Sequence, residues 1–337
     1  MGRIEVGQPA PRPRPTGMSQ APFVLTCDHR AEGLWERIQP LAVMGMRLEL
    51  TRTLAQTREF LNGTRPDVLL IDPLARGGVV ELQQIEQVSG QGPLALLLVA
   101  DSEDPGPTLA VTQGLRLSTW DLIYRDAPLE EYAMRIERLR TQMDRLSELA
   151  EVRYRATHDD HTELLRPRAF QARLREHFSA AHRHHFDLAF VLLDLDDFGR
   201  VNKEHDHTVG DRVIARVGEV IRDCLRAEDV GGRLGGDEFA IAIPYTSRID
   251  AARVVNRLRD QIFALTGKIE GAPLEVHVSA SLGFETFDGL DLDSVEEMRR
   301  HAEIALRHAK RSGGNRGVFY RSVSPDQDSG TTHENRA

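Results

Sequence analysis

The sequence predicts an α/β protein of two domains. An N-terminal doubly wound parallel sheet is followed by a helical coiled-coil linker and a C-terminal mixed α/β sheet of the palm type. Three observations predict it. Residues 21–128 alternate short apolar runs with amphipathic stretches, the βαβ signature of a parallel sheet. Residues 129–156 repeat apolar positions at 3,4 spacing. Residues 157–322 combine a strand that is apolar on both faces with a glycine-turned hairpin, which a purely parallel sheet would not contain. A chain of 337 residues is long enough for both domains.

In the first domain, "FVLTC" from Phe23, "PDVLLIDP" from Pro66, "LALLLVA" from Leu94 and "WDLIY" from Trp120 read as strands. "GLWERIQPLAVM" from Gly33 reads as a helix broken near Pro40. In the linker, Leu129, Tyr132, Ile136, Leu139, Met143, Leu146 and Ala150 form the apolar stripe, with charges filling most positions between them. That is the seam of a two-stranded coiled coil. The alternative is one long helix packed on its own domain.

In the second domain, "DLAFVLLD" from Asp187 is a doubly buried strand, and "TVGDRVIARVGEVIRDCL" from Thr208 is an amphipathic helix. Helices are expected at 247–265 and 294–311, started by the capping boxes Ser247/Asp250 and Ser294/Glu297. "LEVHVSASLGF" from Leu274 alternates as a strand does. The Pro-rich residues 1–20 and the polar residues 323–337 are expected to be disordered tails.

Composition narrows the function classes. The chain is 40% hydrophobic and 28% charged, with a formal net charge of −9, which argues against nonspecific binding to nucleic acid or anionic lipid. No apolar run reaches the length of a membrane span, and the N-terminus lacks a signal-peptide apolar region. The two cysteines, Cys27 and Cys224, match no metal spacing and read as reduced thiols. A cytoplasmic protein is expected.

The chemistry centres on "RLGGDEFAIAIP", Arg233 to Pro244. Gly235 and Gly236 supply a turn and leave room for a phosphate. A turn does not need Asp237 and Glu238 at the mouth of a buried strand. A second acidic site, Asp194 followed by Asp196 and Asp197, closes "FVLLD". If the two strands are neighbours, the carboxylates converge on a hard cation such as Mg²⁺, completed by substrate phosphate oxygens.

These motifs resemble the GGDEF family of diguanylate cyclases. "GGDEF" at 235–239 is the family signature. "DLDDFGRVNKEHDHTVGD" from Asp194, "THDDHTELLRPRAF" from Thr157, "SASLG" from Ser279 and "AKRSGGNR" from Ala309 resemble further family motifs, over about 157–321. The resemblance implies synthesis of cyclic di-GMP from two GTP by a homodimer, with Mg²⁺ or Mn²⁺. It implies that Asp194, the Leu195 carbonyl, Asp237 and Glu238 hold the metal. Glu238 would alternatively activate the attacking 3′-hydroxyl. Asn202 and Asp211 would read guanine, with Phe198 in the same motif, and Lys310 would contact the triphosphate. Thr208 and Asp211 also form a capping-box pattern, the alternative reading of Asp211. "RAED", Arg226 to Asp229, resembles the family's inhibitory site for cyclic di-GMP, with Arg257 and Arg233 as further arginines of that site.

The pattern departs from the family where phosphate cations are expected: Gly199 and Gly314 stand in for them. Asp206 replaces a glycine, and the opening motif differs at His161, Glu163 and Arg166-Pro167. Nearby Arg200, Arg311 and Arg316 are candidates to compensate. The alternative function is therefore a catalytically weak or inactive protein that serves as a cyclic di-GMP receptor. A mixed guanine–adenine product is disfavoured by Asp211.

The first domain resembles a response-regulator receiver more weakly. Asp72 stands at the phosphoacceptor position, yet the paired acids shrink to Asp28, the fourth strand ends Val99-Ala100, and Arg125 replaces the expected lysine. It reads as a pseudo-receiver for dimerisation or for binding a protein partner.

Overall fold

The computed structural model describes residues 21–28, 33–74, 94–112, 119–205, 207–272 and 275–323. The tails at 1–20 and 324–337, and Asp206, lie outside the described residues. The chain divides into two compact units, with the boundary between Arg153 and Tyr154.

The first unit is built on a parallel sheet in the order β2-β1-β3-β4-β5. Its strands are β1 (Phe23–Cys27), β2 (Arg47–Thr51), β3 (Val68–Ile71), β4 (Ala95–Ala100) and β5 (Trp120–Tyr124). Helices α1 (Leu34–Ile38), α2 (Leu54–Gly63), α3 (Gly106–Thr112) and α4 (Leu129–Thr157) accompany them. A 3-10 turn at Gln39–Ala42 takes over from α1 where Pro40 was expected to break it. β2 was not recognised in the sequence. Its RLELT residues are partly exposed and supply little apolar signal. The continuous apolar runs have a direct explanation. Val68 and Leu70 of β3 enter one core, with Leu34 and Ile38, while Leu69 and Ile71 enter another, with Leu54 and Leu61. A strand covered on both faces does not alternate. The 2-1-3-4-5 order places its switch point beyond the carboxyl ends of β1 and β3, where Asp28 and Asp72 stand.

The linker stripe divides. Tyr132, Ile136 and Leu139 are buried in the first unit's core, and Leu129 and Met143 pack against it. The Tyr132 hydroxyl donates to the carbonyls of Tyr124 and Arg125 at 3.2 and 3.1 Å, and burial pushes its pKa up to about 12. The first half of the stripe therefore completes its own domain rather than a coiled-coil seam. Leu146 and Ala150 are exposed, as are Leu149 and Val152 beside them.

The second unit is a mixed sheet in the order β10-β9-β6-β8-β7. It comprises β6 (Leu188–Leu195), β7 (Val230–Gly235), β8 (Glu238–Pro244), β9 (Ala280–Phe287) and β10 (Gly317–Phe319). β6 is central and antiparallel to both β8 and β9. Helices α5 (Pro167–His184) and α9 (Val295–Arg311) cover one face; α7 (His207–Cys224) and α8 (Arg248–Phe263) cover the other. The short α6 (Phe198–His205) follows β6. The N-cap half of both expected capping boxes forms: Ser247 and Ser294 accept from the amides of Asp250 and Glu297 at 3.4 and 3.1 Å. The strand expected from Leu274 begins only at Ala280. The alternation before it has another source, because Val278 and Val276 bond back to the turn at Thr266 and Gly267.

Candidate active site

The neighbouring-strand condition is met. Asp194 lies on β6 opposite Glu238 of β8 on one side and Ser281 of β9 on the other. Directly opposed residues of an antiparallel pair share a face of the sheet, so the two carboxylates do as well. Asp194 is buried, at 6% exposure, because it sits in the central strand; Glu238, at the strand mouth, is exposed. Asp237 occupies the turn, and its carbonyl accepts from the Leu195 amide at 3.3 Å.

The turn requires its glycines through conformation. Gly235 and Gly236 have φ of +153° and +53°, and a Cβ at either would meet nothing within 4 Å. A register irregularity falls between Arg233 and Gly235. Arg233 fixes the turn from below. It donates to the Gly236 carbonyl at 3.1 and 2.8 Å and to the Asp159 carboxylate at 3.1 and 3.2 Å. Burial raises the Asp159 pKa, but bonds from Thr162 and the Arg233 guanidinium outweigh it and hold the carboxyl below its usual range. Arg233, expected among the inhibitory arginines, has its guanidinium engaged within the turn.

Lys310, near the end of α9, points its ammonium at Asp194, 2.6 Å from Oδ1. Burial pushes the Asp194 pKa up, Lys310 opposes this, and the negative charges of Asp237 and Glu238 add to it. Asp196 is caged by the Ser279 and Ser281 hydroxyls, at 3.0 and 2.6 Å, and by the Asn315 amide at 2.8 Å. That cage anchors the loop after α9. Asp159 was not singled out in the sequence, and Asp196 was grouped with the Asp194 acidic site, since an acid that orders a loop looks like an acid that holds a metal.

The proposed nucleotide readers gather beside one another. A Cβ at Gly210 would overlap the Asn202 amide and come within 3.3 Å of the Phe198 ring, and Asp211 follows on the exposed side of α7. The two missing cations differ. Gly199 faces open space, whereas Gly314 has φ of +71° and its Cβ would lie 3.0 Å from the Asp196 carboxylate. The loop geometry around Asp196 therefore disfavours any side chain at 314. Arg316 donates to the Gly314 carbonyl at 3.1 Å.

Arg226 and Asp229 form a tight turn. The Arg226 amide donates to Asp229 Oδ2 at 2.8 Å, and the Asp229 amide donates to the Arg226 carbonyl at 3.1 Å. Asp229 Oδ1 is buried without a hydrogen-bond partner, and burial raises its pKa, with Arg257 opposing. Arg257 itself donates to the Cys224 carbonyl at 2.9 Å. In the first unit, Arg125 reaches Asp72 Oδ2 at 2.6 Å, and Asp72 Oδ1 accepts from the Leu74 amide at 2.9 Å.

Among the described residues, no three His, Cys, Asp or Glu side chains form a ready metal cage. The donors nevertheless fit a hard divalent cation. A buried carboxylate already draws a cation to itself, Glu238 stands opposite it across the strand pair and the charge of Asp237 acts on it, leaving positions for phosphate oxygens and water.

Residues 156–316 match the family described as "Diguanylate cyclase, GGDEF domain". The chain is 34% identical over 170 residues to the diguanylate cyclase DgcP of Pseudomonas aeruginosa, covering 50% of this chain and 25% of that protein. It is 34% identical over 167 residues to MucR of the same organism, a bifunctional diguanylate cyclase/cyclic di-GMP phosphodiesterase, covering 50% and 24%. The chain thus spans about a quarter of the length of these curated relatives. Among solved structures, the coiled coil and GGDEF domain of DgcB from Caulobacter crescentus, in complex with c-di-GMP, matches with a TM-score of 0.51. It is 26% identical, over 56% of this chain and 98% of that one. The family match falls within the second unit, and the first unit lies outside it.

Proposed function

We propose that the protein is a diguanylate cyclase that condenses two GTP into cyclic di-GMP and two pyrophosphates as a homodimer. The observation that carries this reading is Asp194, buried at the end of β6 and opposed to Glu238 beyond the glycine turn. Asp194, the Leu195 carbonyl, Asp237 and Glu238 would hold Mg²⁺ or Mn²⁺, which supplies charge neutralisation on the phosphates when bound. Asn202 and Asp211 orient the guanine through its donor and acceptor edge, with Phe198 beside them. Lys310 neutralises the triphosphate. Glu238 accepts the proton of the 3′-hydroxyl, whose oxygen attacks the α-phosphorus of the GTP held by the facing protomer. A P–O bond to that oxygen forms, the bond to pyrophosphate breaks, and a second transfer closes the ring. Arg226, Asp229 and Arg257 form the product-binding inhibitory site, with the arginines for phosphate and the Asp229 carboxylate as the acceptor for guanine.

In the first unit, Arg125 occupies the acidic pocket at Asp72, which supports a pseudo-receiver used for dimerisation or protein binding. A cytoplasmic location agrees with the finding that, among the described residues, no helix is long and apolar enough to cross a membrane.

A second reading is a cyclic di-GMP receptor with little turnover. It is favoured by the open position at Gly199 and by the obstruction at Gly314. One experiment separates the two. Purified protein, stripped of bound nucleotide, is incubated with GTP and Mg²⁺, and cyclic di-GMP is quantified. Product formation that rises further in Arg226→Ala supports the cyclase. Tight cyclic di-GMP binding with no product at high protein concentration overturns it in favour of the receptor.

A further inference from the structure

Lys310 has an ionic partner within the chain that triphosphate binding does not describe. Its ammonium lies 2.6 Å from Asp194 Oδ1, on the carboxylate that a metal would need first. Asp194 is buried on the central strand, so its negative charge has little water to stabilise it. Asp237 and Glu238 add negative charge to the same place. Such a cluster calls for a positive charge, and Lys310 supplies it from within the chain. The lysine side chain suits this task, being a single charged point on a four-carbon stem. Lys310 is 44% exposed, so the head can leave toward solvent without disturbing the core.

We infer that Lys310 is a resident counter-ion that occupies the metal-binding carboxylate until a triphosphate draws it away, so that the divalent cation and the nucleotide load together. The inference rests on the cyclase site as read above and extends it to the order of loading. Its second support is the absence of a ready cage: among the described residues, no three ligating side chains converge on one point. The carboxylates must therefore share the cation with phosphate oxygens. When the triphosphate arrives, it gives Lys310 a new partner and the cation its missing ligands in the same event. The cost to metal binding alone follows from population arithmetic. If the lysine pair is closed in about nine molecules of ten, the apparent affinity for free metal falls about tenfold.

The test uses the full chain and Mn²⁺ followed by electron paramagnetic resonance. Wild-type protein is titrated with Mn²⁺ alone and again with inorganic triphosphate, which carries the phosphates without the guanine. Lys310→Met and Lys310→Arg are titrated alongside, and circular dichroism establishes that each variant is folded. The expected result is weak Mn²⁺ binding by wild type that triphosphate strengthens. Lys310→Met should bind Mn²⁺ alone about tenfold more tightly, with a smaller gain from triphosphate. Lys310→Arg, which keeps the positive charge, should resemble wild type. Folded Lys310→Met that binds Mn²⁺ alone no more tightly than wild type overturns the inference. The outcome is separable from that of the cyclase reading. Tighter binding by Lys310→Met in a protein that makes no cyclic di-GMP keeps the counter-ion and rejects the cyclase; the converse pair of results rejects only the counter-ion.

Discussion

Both units end a buried strand near an aspartate that holds a cation at 2.6 Å, and the two pairs are built for different ends. In the first unit, Arg125 spans Asp72 and Asp101 at once, at 2.6 and 3.2 Å, and is only 23% exposed. A planar guanidinium tied to two carboxylates is a fixed plug. In the second unit, Lys310 meets Asp194 at 2.6 Å through a single ammonium and is 44% exposed. The same local motif, a strand-end acid with a cation, serves as structure in one case and as an exchangeable site in the other. What separates them is the number of partners holding the cation and its access to water.

The comparison breaks most decisively at Glu238. Glu238→Gln is expected to lower cyclic di-GMP formation about a thousandfold while leaving the thermal midpoint unchanged, since this residue is exposed. A large loss of stability instead would make the acid part of the fold, as Asp72 is. Next comes the contrast between the cations themselves. Arg125→Ala should destabilise the first unit by about 2 kcal/mol, because it strips a buried carboxylate of its guanidinium. Lys310→Ala also strips a buried carboxylate, but of a single, more exposed ammonium, and should cost less, about 1 kcal/mol. Urea unfolding of both variants measures the difference, and equal costs would erase the distinction.

A smaller effect is expected at Arg233. Arg233→Ala releases the Gly236 carbonyl and should lower kcat about tenfold, a loss of about 1.4 kcal/mol of barrier control. Relief of product inhibition in that variant, matching Arg226→Ala, would return Arg233 to the inhibitory site. The smallest expected effect is a pH dependence. The Asp159 carboxyl is held below its ordinary pKa in the folded protein. Its contribution is thus present above the unfolded pKa and is lost as pH falls through the folded one. Asp159→Asn should therefore show a shallower loss of stability than wild type between about pH 5 and 3 in urea titrations.

Much of the second unit was legible in the residues. β6 announced itself by eight successive buried positions, and the two capping boxes fixed the starts of α8 and α9. The glycine turn and the acids around it were equally plain. The linker was misread in part because a 3,4 stripe has the same period whether it faces a second helix or its own sheet. Tyr132, Ile136 and Leu139 joined the core that also holds Val24, Leu70, Leu97 and Ile123 of the sheet. β2 was passed over because its alternation, Leu48 and Leu50 between polar side chains, is only five residues long. The strand expected from Leu274 failed because alternation also arises where a loop bonds back to a turn.

The sequence by itself determined which residue types stand at each strand end, where helices start, and where the chain must turn with positive φ. These are local properties, fixed by side chains within a few positions of one another. Only the tertiary structure decided which acid meets which cation. Arg233 found Asp159 across 74 positions, Lys310 found Asp194 from the far end of the domain, and Asp196 took the loop instead of the metal. Those choices depend on strand register and on the packing of α9 against β9, where the bare Gly283 lets the helix backbone approach. No local pattern encodes such pairings, because the partner that offsets the desolvation of a buried acid lies far away in the chain.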